Sequence, residues 1–476
     1  MTAPVASGRV LATLNADGSR RWIRPKPAYG RFWEQRRAVA YGLIALFLAL
    51  PHLRLGGKPF VLLDLPRREF TILGETFLPT DTLLLMLLGI SILIGIFLLT
   101  ALFGRVWCGW ACPQTVWMEY LFRPLERLIE GSPNQSRVLD DQHRHFHPKR
   151  LIKYTIYALL AAVLGNTFLA YFVGTEQLFR WMTQSPFDQP APFLVMAVTT
   201  LLVWIDFTWF REQTCLVACP YGRWQSVLLD RESLIVAYDY SRGEPRGKPG
   251  HAATATAEPG DCIDCGACVL TCPTGIDIRD GLQMECIHCT QCADACDAIM
   301  QKVGKPAGLI RYSSKEALAG HKRHIVRPRT ILYPAAFALF FGGFLFALAT
   351  RPQADVTLLG AVGAPFTREP DGTVVNQVRI RVQNRSAAAQ RFELELLDEH
   401  DARLLAPEFP LAVGGGKMAS TSVFVILPSA AFHDGEHGVR FRLSSGGFRE
   451  EFPWRLRGPS EHRDEGRDDR HEGEKR

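Results

Sequence analysis

The sequence predicts an α-helical membrane protein with about five transmembrane helices, a cytoplasmic two-cluster ferredoxin domain and a C-terminal Ig-like β-sandwich. Three observations predict it. Apolar residues are gathered in blocks, several of them near the roughly 20 residues that cross a bilayer core. Two cysteine runs share one spacing. The last part of the chain alternates apolar and polar residues. A length of 476 residues leaves room for roughly two to four units of this kind.

Residues 1–37 form a basic arm that ends in RRWIRPKPAYGRFWEQRR, Arg20 to Arg37. Five apolar runs follow: Ala38–Leu53, Thr82–Phe103, Leu151–Val173, Ala191–Phe210 and Ile331–Thr350. The first is short, and Tyr41 and Leu55 can lengthen it at the interfaces. It is not expected to be a cleaved signal, because a long polar, basic stretch precedes it and no small-residue cleavage site follows. Four spans therefore occupy residues 38–210, a region with the cysteines occupies 211–330, and the fifth span occupies 331–350.

Orientation follows from Lys and Arg, which collect on the cytoplasmic side. The N-terminal arm is rich in them. So is the connection between spans two and three, with Arg105, Arg123, Arg127, Arg137, Arg144, Lys149 and Arg150. The segment before span five ends in HKRHIVRPR. The other connections hold Arg54, Lys58, Arg67 and Arg68, or Arg180 alone. The N-terminus and cysteine region are thus expected in the cytoplasm and the C-terminus outside. The net charge of +6 reads as a topology signal, not as an affinity for nucleic acid. All twelve cysteines precede residue 297 and fall on the expected cytoplasmic side. A secreted disulfide scaffold would show the opposite bias; reduced thiols read as metal ligands or redox groups.

Residues 262–273 are CIDCGACVLTCP and residues 286–297 are CIHCTQCADACD. Both have the spacing of the bacterial two-cluster ferredoxin run, in which the fourth cysteine of each run serves the other cluster. Cys262, Cys265, Cys268 and Cys296 are therefore expected to hold one 4Fe–4S cluster. Cys286, Cys289, Cys292 and Cys272 are expected to hold the second. The domain is placed at about 255–305. Gly266 permits a tight loop. Pro273 ends the first run, whereas Asp297 stands in the equivalent place in the second and is expected to loosen the turn or alter the local field without removing a ligand.

A second repeat lies at the membrane edge. Residues 108–117 read CGWACPQTVW and residues 215–224 read CLVACPYGRW. The likeness reaches the tryptophans, Trp117 and Trp224, and a preceding Arg105 or Arg211, so spans one and two read as a duplicate of spans three and four. On a helix, positions i and i+4 share a face, but proline disrupts a helix beyond its first turn, so a bent or broken turn is the alternative. Four roles are open for Cys108, Cys112, Cys215 and Cys219: chelating a soft metal, which thiolates favour; dithiol–disulfide cycling; ligating one further cofactor as a set of four; or packing as small inert residues.

Asp206 is an acid near the end of span four, a functional candidate or a side chain that snorkels to the interface. His143, His145 and His147 read as a solvated basic loop before a metal seat. Trp110, Trp204 and Trp209 fit an aromatic belt. Residues 351–457 contain VVNQVRIRVQN, QRFELELLD, TSVFVIL and HGVRFRLSS, whose period of two marks half-buried strands and, over such a length, a β-sandwich. It carries no catalytic constellation; partner binding or a plain cap is its expected role. Residues 458–476 are charged and apolar-poor, the composition of a disordered tail.

With these motifs placed, the chain resembles the CcoG/FixG/RdxA family of cytochrome c oxidase accessory proteins over about residues 20–457. Twin ferredoxin runs alone are generic; their combination with CGWACP and CLVACP is much more specific. The resemblance implies a multi-pass bacterial inner-membrane protein, surrounded by membrane lipid, with a periplasmic C-terminal domain. It implies a role in reducing Cu(II) to Cu(I) for assembly of a cbb3-type oxidase, hence a cupric reductase with copper as substrate or ligand. The cluster ligands and Cys108, Cys112, Cys215 and Cys219 carry over as cluster and copper sites. Oxidase assembly components, copper chaperones or transporters and a cytosolic electron donor are the implied partners, and a homodimer is compatible with it. Thiolates prefer Cu(I) over the harder Cu(II), so a thiolate site would favour the reduced ion. Two other classes fit the motifs: a quinol dehydrogenase subunit like the NapH and NosR group, and a non-enzymatic scaffold that docks oxidase subunits.

Overall fold

The computed structural model of the chain describes residues 12–15, 17–66, 68–77, 81–141, 147–247, 260–322, 324, 326–361, 363–386, 388–397 and 401–459. Of the expected tail, 458–476, the residues from Ser460 onward lie outside them, as do His143 and His145. The chain divides into two compact units, Met1–Phe346 and Ala347–Arg476.

Four helices of the first unit are long and apolar enough to cross a membrane: Thr82–Phe103, Pro148–Val173, Pro190–Phe210 and Pro328–Ala349. The expected first span is not among them. Its helix, Arg31–Ala49, spends its first two turns on Arg31, Glu34, Arg36 and Arg37. The apolar remainder from Ala38 to Ala49 is only about 18 Å long at about 1.5 Å per residue. It nevertheless runs beside Pro148–Val173, since the Tyr171 hydroxyl donates to the Phe47 carbonyl at 2.8 Å and the two rings lie 5.5 Å apart. By length and composition the described chain holds four spanning helices where about five were expected.

Helices Pro148–Val173 and Pro190–Ile205 pack through a small residue. A Cβ on Gly165 would stand 3.3 Å from the Thr200 Cα, the close approach small residues allow between apolar helices. Trp204 donates to the Tyr154 carbonyl at 3.2 Å, so it serves helix packing. Phe207 stacks on Phe122 with ring centroids 4.2 Å apart, which anchors this pair to the segment after the first edge motif.

One end of this bundle carries a β-meander that the sequence reading did not separate from a plain connection: Val61–Asp64, Glu69–Ile72 and Glu75–Phe77, paired antiparallel in that order. The helix Pro328–Ala349 runs between the two ends. Arg327 at its start donates to the Ala101 carbonyl at 3.1 Å, and Phe344 near its finish stacks on Phe77 of the meander. The edge motifs and ferredoxin insert occupy the Ala101 end. The insert is wider than 255–305, because Ile235–Tyr238 pairs antiparallel with Ile310–Ser313 and closes its base. Val236, Tyr238, Ile276, Ile278, Met300, Leu309 and Ile310 form its core with the buried cysteines.

The second unit is a β-sandwich. In one sheet Thr373–Asn384 pairs with Met418–Pro428 and with Ala354–Gly360; in the other Glu436–Ser445 pairs with Gln390–Leu397 and Phe448–Arg457. Alternate residues of Thr373–Asn384 are buried, as the period of two requires. Val378, Ile380, Val382, Phe392, Val423, Val425, Phe441 and Leu443 fill the space between the sheets.

Candidate iron–sulfur and edge-thiol site

The two ferredoxin runs fold alike. Asp264 and Gly266 of the first run have φ of 51° and 67°, and His288 and Thr290 of the second have φ of 55° and 59°. Each pair takes left-handed backbone at the same two positions, which turns the loop so that successive cysteines face one point. Glycine meets this need without strain at Gly266; a β-branched residue such as Thr290 is a true outlier there. After Pro273 the first run ends. The second continues as helix Gln291–Lys302 straight through Asp297, because a proline there would have removed a helical N–H. The Asp297 carboxylate instead accepts from the Gly308 N–H at 2.7 Å, so it ties a loop down, against the loosening that was one of the two expected effects.

Cys272, Cys286, Cys289 and Cys292 line one cavity together with Cys268, Val236, Ile276, Ile278 and Ile287. It gathers the four cysteines expected to share the second cluster and one expected to hold the first, and its apolar walls suit electron-transfer centres kept from water. Burial, followed by the charges of neighbouring thiols, pushes the Cys296 thiol up to about 12. Burial also pushes Cys286 up to about 12 and Cys289 up to about 11. Such thiols become thiolates only against a cation, so metal loading would release protons. The donor set, the shared cavity and the repeated loop geometry fit two 4Fe–4S clusters. When bound, such clusters supply one-electron transfer.

Both edge motifs adopt a broken turn. Gly104 (φ 61°, ψ −133°) and Arg211 (φ 56°, ψ −121°) stand four residues before the first cysteine and share one backbone conformation. In each motif the second cysteine's N–H reaches back five residues: Cys112 to the Trp107 carbonyl and Cys219 to the Thr214 carbonyl, both at 2.8 Å. Each of these cysteines then caps a short helix that starts at the following proline. The duplication is therefore structural, but its true counterpart of Arg211 is Gly104, one residue from the expected Arg105.

The fold brings the four edge thiols into mutual electrostatic range. Burial pushes the Cys108 thiol up to about 12, helped by Cys112 and Cys219 and opposed by Arg105. Burial likewise pushes Cys215 above its ordinary range, with further rises from Cys112, Cys108 and Cys219. Gln225, fully buried, accepts from the Cys108 thiol at 3.3 Å and from Arg105 at 3.0 Å. Asp206 bridges the two motifs: Gln114, two residues after Cys112, donates to it at 3.3 Å, and Thr214, beside Cys215, donates to it as well. Among the described residues, no three His, Cys, Asp or Glu side chains stand at the spacing of a single-ion site; that includes the ferredoxin cysteines, whose cluster ligands stand farther apart.

The first edge motif is docked on the second ferredoxin run. The Arg105 N–H donates to His288 Nδ1 at 3.2 Å, and its guanidinium donates to the Met284 carbonyl and to the Gly222 carbonyl at 2.5 Å. Trp110 donates to the Tyr312 hydroxyl at 2.9 Å, which donates to the His288 carbonyl at 2.9 Å. Trp110 is thus a fixture of the insert and not part of an aromatic belt; Trp209, exposed and covered by Arg20, keeps a boundary position. From the other side, the N–H groups of Phe32 and Trp33 bind the Asp294 carboxylate at 3.1 and 2.7 Å, and Arg36 donates to the Gly109 carbonyl at 3.0 Å. His147 caps the helix it precedes, accepting from the Lys149 N–H at 3.3 Å.

Behind the thiols lies a buried ionic network. Arg211 forms a two-pronged pair with Glu126, at 3.0 and 2.9 Å. Arg123 joins Glu119, Glu212 at 3.2 Å and the Pro273 carbonyl at 3.3 Å. Gln291 donates to Glu119 at 3.0 Å. Burial alone would raise the Glu126 carboxyl, but Arg211 and Lys153 outweigh it and hold it well below the usual range.

Comparison with known proteins agrees with this arrangement. A family model described as a 4Fe-4S dicluster domain matches residues 210–315, a 4Fe-4S binding domain matches 85–131, and a model described as the IG-like fold at the C-terminus of FixG matches 344–459. Nitrogen fixation protein FixG of Rhizobium meliloti is 31% identical over 88% of this chain and 89% of its own length. The chain belongs to the FixG/RdxA family. Protein RdxA of Cereibacter sphaeroides is 36% identical over 78% of this chain and 81% of its own length, and Protein RdxB of the same organism is 33% identical over 82% and 85%. As a FixG/RdxA protein with these domains and helices, the chain is a membrane iron–sulfur redox protein. The 4Fe-4S matches enclose the edge motifs as well as the ferredoxin runs, so each edge pair lies inside an iron–sulfur module. Gly104, Gly109, Gln114, Gln225, His288 and Thr290 are the supporting residues that motif spacing did not single out; a glycine directly after Cys108 was the only outward sign of any of them.

Proposed function

We propose that this protein takes electrons from a cytosolic donor into its ferredoxin insert and reduces Cu(II) to Cu(I) at Cys108, Cys112, Cys215 and Cys219, for copper delivery and assembly of a cbb3-type oxidase. The observation that carries the reading is that four thiols from two motifs lie within electrostatic range of one another beside the ferredoxin insert, short of the spacing of a single-ion site. Thiolates prefer the softer, reduced ion, and a one-electron supply suits a one-electron reduction. The thiols do not stand in a finished cage, so the site closes on the ion as it binds. Each thiol must lose a proton to do so; Arg105 beside Cys108 and the Thr115 and Gln114 N–H groups beside Cys112 favour that loss. The N-terminus and insert lie on the cytoplasmic side in this reading, and the sandwich in the periplasm.

Purified protein reduced with dithionite, desalted to remove the excess and mixed with Cu(II) should form Cu(I), read with a chelator dye. Change of all four edge cysteines to alanine should abolish that formation while iron content stays. Undiminished formation removes these cysteines from the mechanism, and cluster reduction by added quinol would favour the quinol-dehydrogenase class instead.

A further inference from the structure

We infer that Gly109 is the positioning residue that joins the edge-thiol site to the ferredoxin insert, and that it joins it to the second cysteine run, Cys286–Cys296, leaving the first run as the entrance for electrons. This rests on the reading above and adds to it an order and a point of contact.

The contact is between backbones. A Cβ on Gly109 would lie 2.6 Å from the Ile287 carbonyl oxygen, 2.8 Å from the Cys289 Cα and 2.9 Å from the Cys289 nitrogen. Any side chain there must separate the Cys108 loop from the loop that carries Cys286 and Cys289. Two further ties hold the same two loops together: Arg105 to His288, and Trp110 through Tyr312 to the His288 carbonyl; Arg36, from the N-terminal helix, fixes the Gly109 carbonyl. The twin motif is built otherwise. Leu216 occupies the position of Gly109, and Cys215 reaches the insert by lining a small cavity with Pro273, Thr274 and Ile287. Cys265 of the first run is exposed, whereas in the second Cys286 and Cys289 are buried and Cys292 and Cys296 half-buried. An electron carrier can approach Cys265 directly, while the Cys108 loop packs on the Cys289 backbone.

Cu(I) that replaces two or more thiol protons leaves the edge site more negative by one charge or more, which disfavours the reduced form of its nearest iron–sulfur centre by an interaction that falls with distance. Potentiometric titration of the full-length protein, read by electron paramagnetic resonance with and without a soluble Cu(I) complex, therefore identifies the neighbour. Cu(I) should lower the midpoint of the signal that Cys286→Ser removes. In iron-replete Gly109→Val that shift should shrink, and Cu(II)-driven reoxidation of the reduced protein should slow by on the order of tenfold or more, as misplacement by an ångström does elsewhere. Gly89→Ala, whose Cβ meets nothing within 4 Å, should change neither. If Gly109→Val loses iron, Trp110→Phe is read in its place, with a smaller shift and slowing expected. A Cu(I)-induced shift confined to the signal that Cys262→Ser removes, or iron-replete Gly109→Val or Trp110→Phe behaving as wild type, overturns the inference and leaves copper reduction standing. If wild type fails to reduce Cu(II), copper reduction falls, and amide exchange at Ile287–Thr290, expected to quicken in Gly109→Val, still decides the contact.

Discussion

Replacing Arg211 tests the ionic network that supports the edge thiols. Its guanidinium is 5% exposed and faces the Glu126 carboxylate, itself 10% exposed, through two bonds of 3.0 and 2.9 Å. Arg211→Met removes both bonds and leaves Glu126 with Lys153 at 3.4 Å. Breaking one partner out of a buried pair costs about 3–5 kcal/mol, because the other charge stays buried. At about 2 °C per kcal/mol, the lower end for large units, the unfolding midpoint in mild detergent should fall by about 6–10 °C at a fixed scan rate. Arg211→Gly should fall less far, by about 1 kcal/mol or more, because φ of 56° at this position strains any residue but glycine. The double change Arg211→Met with Glu126→Gln should recover much of the loss, since Lys153 keeps Glu130 at 2.5 Å and no carboxylate is stranded. The pH arm has a definite sign. Glu126 is held below its usual range, so its contribution is complete above the unfolded carboxylate pKa of about 4.3 and is lost only as pH falls through the lower folded value. The wild-type contribution should therefore stay level from pH 8 to 5, whereas in Arg211→Met the buried Glu126 carboxyl rises, so the gap should hold or narrow as pH falls. A fall of less than about 2 °C at pH 8, or a gap that widens toward pH 5, refutes the assignment of a charged, structurally required pair.

Two further outcomes follow from the cysteine loops. Cys272→Ser and Cys292→Ser should weaken the same iron–sulfur centre and spare the other, because the fourth cysteine of each ferredoxin run serves the other run's cluster; iron and sulfide analysis with electron paramagnetic resonance should show the same surviving signal in both. Thr290→Gly should keep full iron content and raise stability by about 1 kcal/mol, because it removes a β-branched residue from left-handed backbone, whereas Gly266→Val should lose iron through the same strain in reverse; thermal bleaching of the iron–sulfur absorbance reads both.

Much of the site was legible because cluster binding constrains neighbours in sequence. The spacing of Cys262–Cys272 and Cys286–Cys296 specifies partners whatever the rest of the chain does. The sandwich was legible because its strands have one wet face and one buried face. What was not legible depends on contacts distant in sequence. Gly109 follows Cys108 in the chain, but its reason for being glycine is the Cys289 backbone, 180 residues later. Trp110 sits where a membrane-edge tryptophan would, and only Tyr312 shows that it belongs to the insert. Thr290 has nothing in its type to announce positive φ; the pairing of the two runs imposes it. The anchoring of helix Arg31–Ala49 was hidden for another reason: its apolar residues form a run, but Arg36 before them binds the Gly109 carbonyl and the Phe32 and Trp33 N–H groups bind Asp294 of the insert, so the helix is held before it becomes apolar.

The internal duplication explains why a ferredoxin insert can sit on one side of a four-thiol site. Both copies keep the parts that place thiols: the positive-φ residue at Gly104 and Arg211, the back-bonded second cysteine, and the proline that starts the next helix. They differ in everything that faces outward from those parts. The first copy has glycines at 104 and 109, where the insert approaches within contact of its backbone, and its Trp117 is buried. The second copy has Arg211 and Leu216 at those places, and its Trp224 is 62% exposed. At Arg211 the second copy has a side chain where the first has none, despite the strain of positive φ, and that side chain neutralises Glu126. A glycine there could not, since it offers no charge. One copy thus lacks side chains where the insert comes in, and the other carries backbone strain to pair a buried acid.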